Sequence, residues 1–307
     1  MNIIALRLTL AACSLAILAA QPRPPAESHI TIAAADGTHP KVIYSASKIF
    51  EAPNWSPDGK YLLLNSGGKL WKLAPDGGEP VLVESGAIDR INNDHGISRD
   101  GKWFAISAGQ IYVLPSGGGE PRQITQATPS YFHAWSPDGK TLAYCAKRGD
   151  NFDLYAVSVD GGEERRLTSS PGYDDGPDYS PDGKWIYFNS DRSGSWDIWR
   201  IPAEGAGVND ANAEKVTSDE HEDWFPHPSP DGKWLLFISF PKGTKGHPPN
   251  QNVILRRMRM PGDKLEPKAK IEQVTALFGG QGTMNVNSWS PDGKRFAYVS
   301  YTLLPAK

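Results

Sequence analysis

The chain has 307 residues, with 32 lysines and arginines against 35 aspartates and glutamates and a formal net charge of −3. That balance, with no basic run anywhere, excludes a nucleic-acid footprint. The length exceeds what one compact core usually serves and suits an array whose core is spread over many interfaces.

The first twenty residues lie outside the fold. Arg7 precedes an apolar stretch from Leu8 to Ala20, and Gln21-Pro-Arg-Pro-Pro25 follows. This reads as a secretory signal over 1–20 and a proline-rich spacer over 21–29, so the expected location is periplasmic, with no transmembrane span in the mature chain. Leu10-Ala-Ala-Cys13 also resembles a lipobox that would acylate Cys13, but eight mostly apolar residues follow, which favours a soluble form over a lipoprotein anchor. Cys145 then has no disulfide partner and reads as a packed thiol.

From Ile30 onward the chain is periodic. Ile30 to Ala33 turns at Asp36-Gly37 into Val42-Ile-Tyr44, a lone hairpin. Six copies of Ser-Pro-Asp-Gly-Lys or a close variant follow, beginning at Ser56, Ser98, Ser136, Ser180, Ser229 and Ser290, and only Ser98-Arg99-Asp100-Gly101 loses its proline. Successive serines are 42, 38, 44, 49 and 61 residues apart, near the roughly 40–45 residues of a four-stranded propeller blade. Proline presets φ, aspartate bonds the neighbouring backbone and glycine takes positive φ, so each copy is a turn between two strands, A and B. A second Gly-rich turn, as at Asp160-Gly161-Gly162, joins strands C and D.

Six A–B pairs and six C–D pairs predict an all-β, six-bladed propeller of four-stranded antiparallel blades over 30–307. The initial C–D hairpin and the final A–B pair share the closing blade, which removes free sheet edges. Strand parity places the uniform A–B and C–D turns at one end, read as scaffolding, and the variable B–C and D–A loops at the other.

The variable loops hold the candidate site. Ligand-binding candidates are Asp94, Tyr131, Asp174, Trp224, Gln281, Asn285, Asn287, Arg148 and Arg192, and Arg90, Arg148 and Arg192 are the clear arginine cations of this face. His95, His133 and Asp175 are candidates for proton transfer. His95, His133 and His227 enter the inner strands at nearly one height and are candidates for one divalent metal, manganese, calcium or zinc, at the channel mouth. The bland alternative is a self-satisfying polar network.

The repeat Trp135-Ser-Pro-Asp-Gly-Lys-Thr-Leu-Ala-Tyr144, continuing through Asp153-Leu-Tyr and Arg166-Leu-Thr168, resembles the WD40-like repeats of the TolB-type β-propellers. The resemblance implies an exported, monomeric protein that binds an envelope protein, although TolB-type members carry an extra N-terminal domain and the first hairpin here starts near Ile30. A second resemblance, carried by Phe225-Pro-His227-Pro228, is to the oligogalacturonate lyases. It implies a manganese site and an oligosaccharide substrate, with Phe225 standing where that family has a histidine. Two functions follow: a propeller binding a protein or glycan through its variable face, or a metal- or histidine-dependent lyase or hydrolase of oligosaccharides.

Overall fold

The computed structural model describes residues 24–266 and 269–305. The proposed signal, Cys13 and residues 21–23 of the proposed spacer lie outside them, and residues 26–29 of that spacer belong to the first strand. Five four-stranded antiparallel sheets and one three-stranded sheet follow one another along the chain. The inner strands of blades one to five are Glu51–Trp55, His95–Ile97, Ser130–Trp135, Asp174–Tyr179 and Glu222–Pro228. In blade six a single bridge from Trp289 to Phe296 stands in for the inner strand. Its other strands are Arg295–Leu303, Ala26–Ala34 and Lys41–Ala46.

The ring closes as the hairpin count predicts. Ala26–Ala34 pairs antiparallel with Arg295–Leu303 along its whole length, from Ala26 opposite Leu303 to Ala34 opposite Arg295. The first strand therefore begins at Ala26, four residues before the expected boundary, because Ala26, Ser28 and Ile30 alternate into the core and continue the pairing.

Each repeated phrase builds the same turn. In blade three the Ser136 hydroxyl donates to Asp138 Oδ1 at 2.6 Å and accepts the Thr141 N–H at 2.9 Å, while the Lys140 N–H reaches Asp138 Oδ1 at 3.1 Å. The other five copies repeat the serine–aspartate bond. Serine thus locks the aspartate to the start of strand B.

Six apolar clusters bridge neighbouring blades. One joins Ala105, Ile111 and Val113 of blade two to Phe132, Trp135 and Tyr144 of blade three. Another joins Ile30, Ala297 and Val299 of the closing blade to Trp55, Leu62 and Leu64 of blade one. A buried aromatic at such an interface contributes about 4–6 kcal/mol of gross transfer free energy before conformational entropy is subtracted. The core is a ring of interfaces, so closure is a condition of stability.

The inner strands are interrupted by bulges between Glu51 and Asn54, Phe132 and Ala134, Asp175 and Asp178, and Trp224 and His227. Three of them contain an X-Pro pair whose first residue has positive φ: Ala52 at 54°, Gly176 at 62° and Phe225 at 52°. Proline is tolerated because these strands face the axis, where no ladder partner needs an N–H. A bulge re-aims the side chains beside it, and His133, Asp175, Asp178 and His227 all stand at or beside one. At Gly176 a Cβ would lie 2.6 Å from Asn189 Oδ1, so only glycine fits there.

Candidate functional site

Asp175 is the hub of the variable end of the axis. Its Oδ1 lies 3.1 Å from His133 Nε2 and accepts the Gly176 N–H at 2.8 Å. Its Oδ2 accepts from the Tyr173 hydroxyl at 3.3 Å and lies 3.8 Å from His247 Nε2. His247 Nδ1 is hydrogen-bonded to Gln281 Oε1, and Gln281 Nε2 donates to Asn93 Oδ1 at 3.2 Å. Blades two, three, four and five and the loop entering blade six thus meet through Asn93, His133, Asp175, His247 and Gln281.

The charges in this cluster are coupled. Burial, the largest influence on His133, disfavours its charged form, but the Asp175 hydrogen bond and the charges of Asp94 and Asp175 outweigh it and hold its pKa above the usual value. Asp175 is also pulled hardest by burial, upward, yet the His133 bond keeps it below the ordinary carboxylate range. Burial lifts Asp94 to about 6, with the charge of Asp175 adding to the effect and that of His133 opposing it. Burial also lowers His247. The arrangement is one imidazole shared between a firm carboxylate and a proton-prone one, and it can hold or move a proton near neutrality.

The structure brings Asp94, His133, Asp175 and Gln281 together and sets the other candidates apart. His95 is fully buried, donates from Nε2 to the Leu63 carbonyl at 3.4 Å, and is pushed by burial down to about 4. His227 faces Asp178 Oδ2 with Nδ1 at 3.0 Å and the Met284 carbonyl with Nε2 at 3.3 Å, so both ring nitrogens are engaged. The three imidazoles proposed as metal ligands therefore have three separate sets of partners. Among the described residues no group of three or more His, Cys, Asp or Glu side chains is arranged to hold a metal ion.

Asn285 is buried and accepts the Gly282 N–H, and Asn287 donates to Asp178 and to the Pro228 carbonyl. Arg148 forks onto Glu164 at 2.7 and 2.8 Å and also holds the Pro129 carbonyl. Arg192 forks onto the buried Asp174 and reaches Asp210 at 3.1 Å. Arg148, Arg192 and Asp174 tie loops down, whereas Arg90 is exposed. Trp224 is fully buried, its ring centroid 3.8 Å from that of Trp196. Phe225 fills the position of the missing histidine with a ring stacked on His133 at 5.9 Å and packed on His247 at 5.1 Å. Cys145 donates to the Asp174 carbonyl, and burial holds its thiol well above the ordinary range.

Tyr131 is half-buried and stacks on Phe152 at 6.3 Å, which in turn stacks on Tyr173 at 4.7 Å. This aromatic row runs from blade three to blade four above the Asp175 cluster. Phe152 and the linking role of His247 escaped the sequence reading, the former because Phe-Asp-Leu-Tyr looked only like the start of a C strand.

The TolB beta propeller domain model of the PD40 family matches residues 104–262. The chain belongs to the TolB-like β-propeller family. This TolB-like propeller is 47% identical to an uncharacterized Agrobacterium fabrum protein over 268 residues, 85% of this chain and 88% of the other. A solved Agrobacterium tumefaciens structure provisionally assigned as TolB superposes with TM-score 0.84 at 46% identity, covering 92% of this chain and 99% of that one. The Tol-Pal system protein TolB of Anaeromyxobacter dehalogenans is 30% identical over 142 residues, 46% of this chain but 24% of its own length. An oligogalacturonate lyase in complex with manganese shares the fold alone, with TM-score 0.52 at 14% identity over 83% of this chain and 75% of that one. No helix among the described residues is long and apolar enough to cross a membrane.

Proposed function

We propose that this TolB-like propeller is an exported, periplasmic binding module that takes an envelope protein or a glycan through its variable face. The observation that carries this reading is the aromatic row Tyr131–Phe152–Tyr173, part-exposed above a charged cluster whose members are already partnered within the protein. Aromatic faces beside carboxylates provide contact area at little conformational cost and accept either an apolar protein side chain or the face of a sugar ring. Relatives named as Tol-Pal system proteins support an envelope partner. The commitment of His227 to two acceptors and the phenyl ring at Phe225 weigh against the metal-dependent oligosaccharide lyase.

The test uses immobilised envelope proteins and a panel of acidic and neutral oligosaccharides, probed with the wild type and with Tyr131→Ala/Phe152→Ala. A ligand retained by the wild type and weakened about tenfold or more in the variant supports the reading, since aromatic anchors of this kind carry about 1–3 kcal/mol each. Binding unaffected by the variant, or turnover of an oligosaccharide, contradicts it.

A further inference from the structure

The end of the propeller that carries the repeated turns is not closed. A pit of about 310 Å³ opens there on the axis, and its rim is the second residue of all six turns: Pro57, Arg99, Pro137, Pro181, Pro230 and Pro291. The repetition that marked this end as scaffolding also produces the pit, because six equivalent turns around an axis enclose a space that none of them fills. Deeper in, the wall is aromatic, formed by Trp55, Trp135, Tyr179 and Trp289, and His95 and His133 lie beyond them.

Three features give this pit the chemistry of a ligand site. Arg99 replaces the proline of the repeat, is exposed, and takes part in no hydrogen bond or ion pair among the described residues. The prolines at the other five rim positions have no N–H, so at the rim the guanidinium alone offers a donor fork. Inside, the wall offers mainly ring faces, with Trp55, Trp135, Tyr179 and Trp289 among the lining residues, and the indole Nε1 of Trp55 is itself shielded from the pit. Asp178, the carboxylate in the lining, is already engaged by His227 and Asn287 in the half of the ring away from Arg99.

We propose that this pit binds a small carboxylate with an apolar, ring-sized body, the carboxylate forked by Arg99 at the rim and the body packed between the indole and proline faces. The volume lies at the lower end of small-ligand pockets, roughly 300–1,000 Å³, and holds one compact body. The pit opens at the end opposite the variable face and its cation is Arg99, so it stands whether or not the reading above holds.

The repeat itself supplies the control. Arg99→Pro restores the residue found in the other five turns, which all fold with proline there, and it removes only the cation. The probes are indole-3-acetate and its neutral counterpart indole-3-ethanol, titrated into the purified chain labelled with ¹⁵N at tryptophan, with the indole N–H signals of Trp55, Trp135 and Trp289 as the readout. Indole-3-acetate should shift these signals saturably, and Arg99→Pro should weaken it about tenfold while leaving indole-3-ethanol unchanged. Absence of any shift at about 10 mM acid, far above a Kd expected for a specific site, overturns the proposal. So does equal affinity of the acid for the variant and the wild type, or equal weakening of both probes.

Discussion

His133 Nε2 and Asp175 Oδ1 lie 3.1 Å apart across the boundary between blades three and four, both nearly fully buried. The contact pairs a side chain displaced by one bulge with a side chain beside another. A charge pair of this kind couples two blades electrostatically where the clusters behind them couple the same blades by apolar contact.

Breaking that pair should destabilise the ring. Asp175→Asn or His133→Ala should lower unfolding free energy by about 3–5 kcal/mol, because each leaves its partner buried with fewer compensating groups. Urea denaturation monitored by tryptophan fluorescence would measure it. His133 has a raised pKa, so its contribution is complete below about pH 6.5 and fades as pH rises through its folded value. Asp175 has a lowered one, so its contribution is present above about pH 3.8 and fades as pH falls through its folded value.

Asp94→Asn should act in the opposite direction. The wild-type carboxyl stays protonated in the folded protein up to about pH 6, whereas the unfolded chain releases the proton near pH 3.8, so wild-type stability falls as pH rises between those values. The variant should therefore gain on the wild type by an amount on the order of 2 kcal/mol between pH 4 and pH 7. The His133 titration followed by NMR should move to lower pH in the same variant, since the charge of Asp94 is one of the groups holding it up. An advantage that is flat with pH would refute the assignment.

Closure makes the two chain ends interdependent. Deleting 24–34 removes the strand that pairs with Arg295–Leu303 and exposes the cluster built on Ile30, Ala297 and Val299. The thermal midpoint should fall sharply and the protein should self-associate through the opened edge. Calorimetry and light scattering on the truncated chain would show it, and an unchanged midpoint would mean that the shared blade does not hold the ring.

The repeated turn offers a smaller, replicated effect. Ser136→Ala removes an acceptor for the Thr141 N–H and a donor to Asp138, at a cost of about 1–2 kcal/mol. Ser180→Ala should cost about the same, because its bonds to Asp182 and Trp185 are equivalent. Denaturation midpoints of the two single variants should match each other, and the double variant should be additive at these separated sites.

The six blades and their shared closure could be read in advance because one phrase carries its own turn chemistry and repeats with its flanking strands. The side chains on the axis were harder to read. His95, His133 and His227 have similar spacings from their serines, but the bulges at Phe132–Ala134 and Trp224–His227, and the short inner strand His95–Ile97, aim them at different partners. Arg148, Arg192 and Trp224 looked like surface groups because the loops are polar, and only tertiary packing commits them to Glu164, Asp174 and Trp196. The pit behind the uniform turns was hidden for another reason, since repetition describes one turn at a time and the enclosed space belongs to all six.

The most direct test of the binding assignment is photo-crosslinking in the envelope of the native host, with a benzophenone amino acid placed at Tyr131 on the variable face or at Asp160 in a C–D turn of the opposite face. The account predicts a discrete adduct, protein or glycan, from position 131 and none from position 160. An adduct from 160 alone would contradict it and move the macromolecular interface to the end that carries the repeated turns.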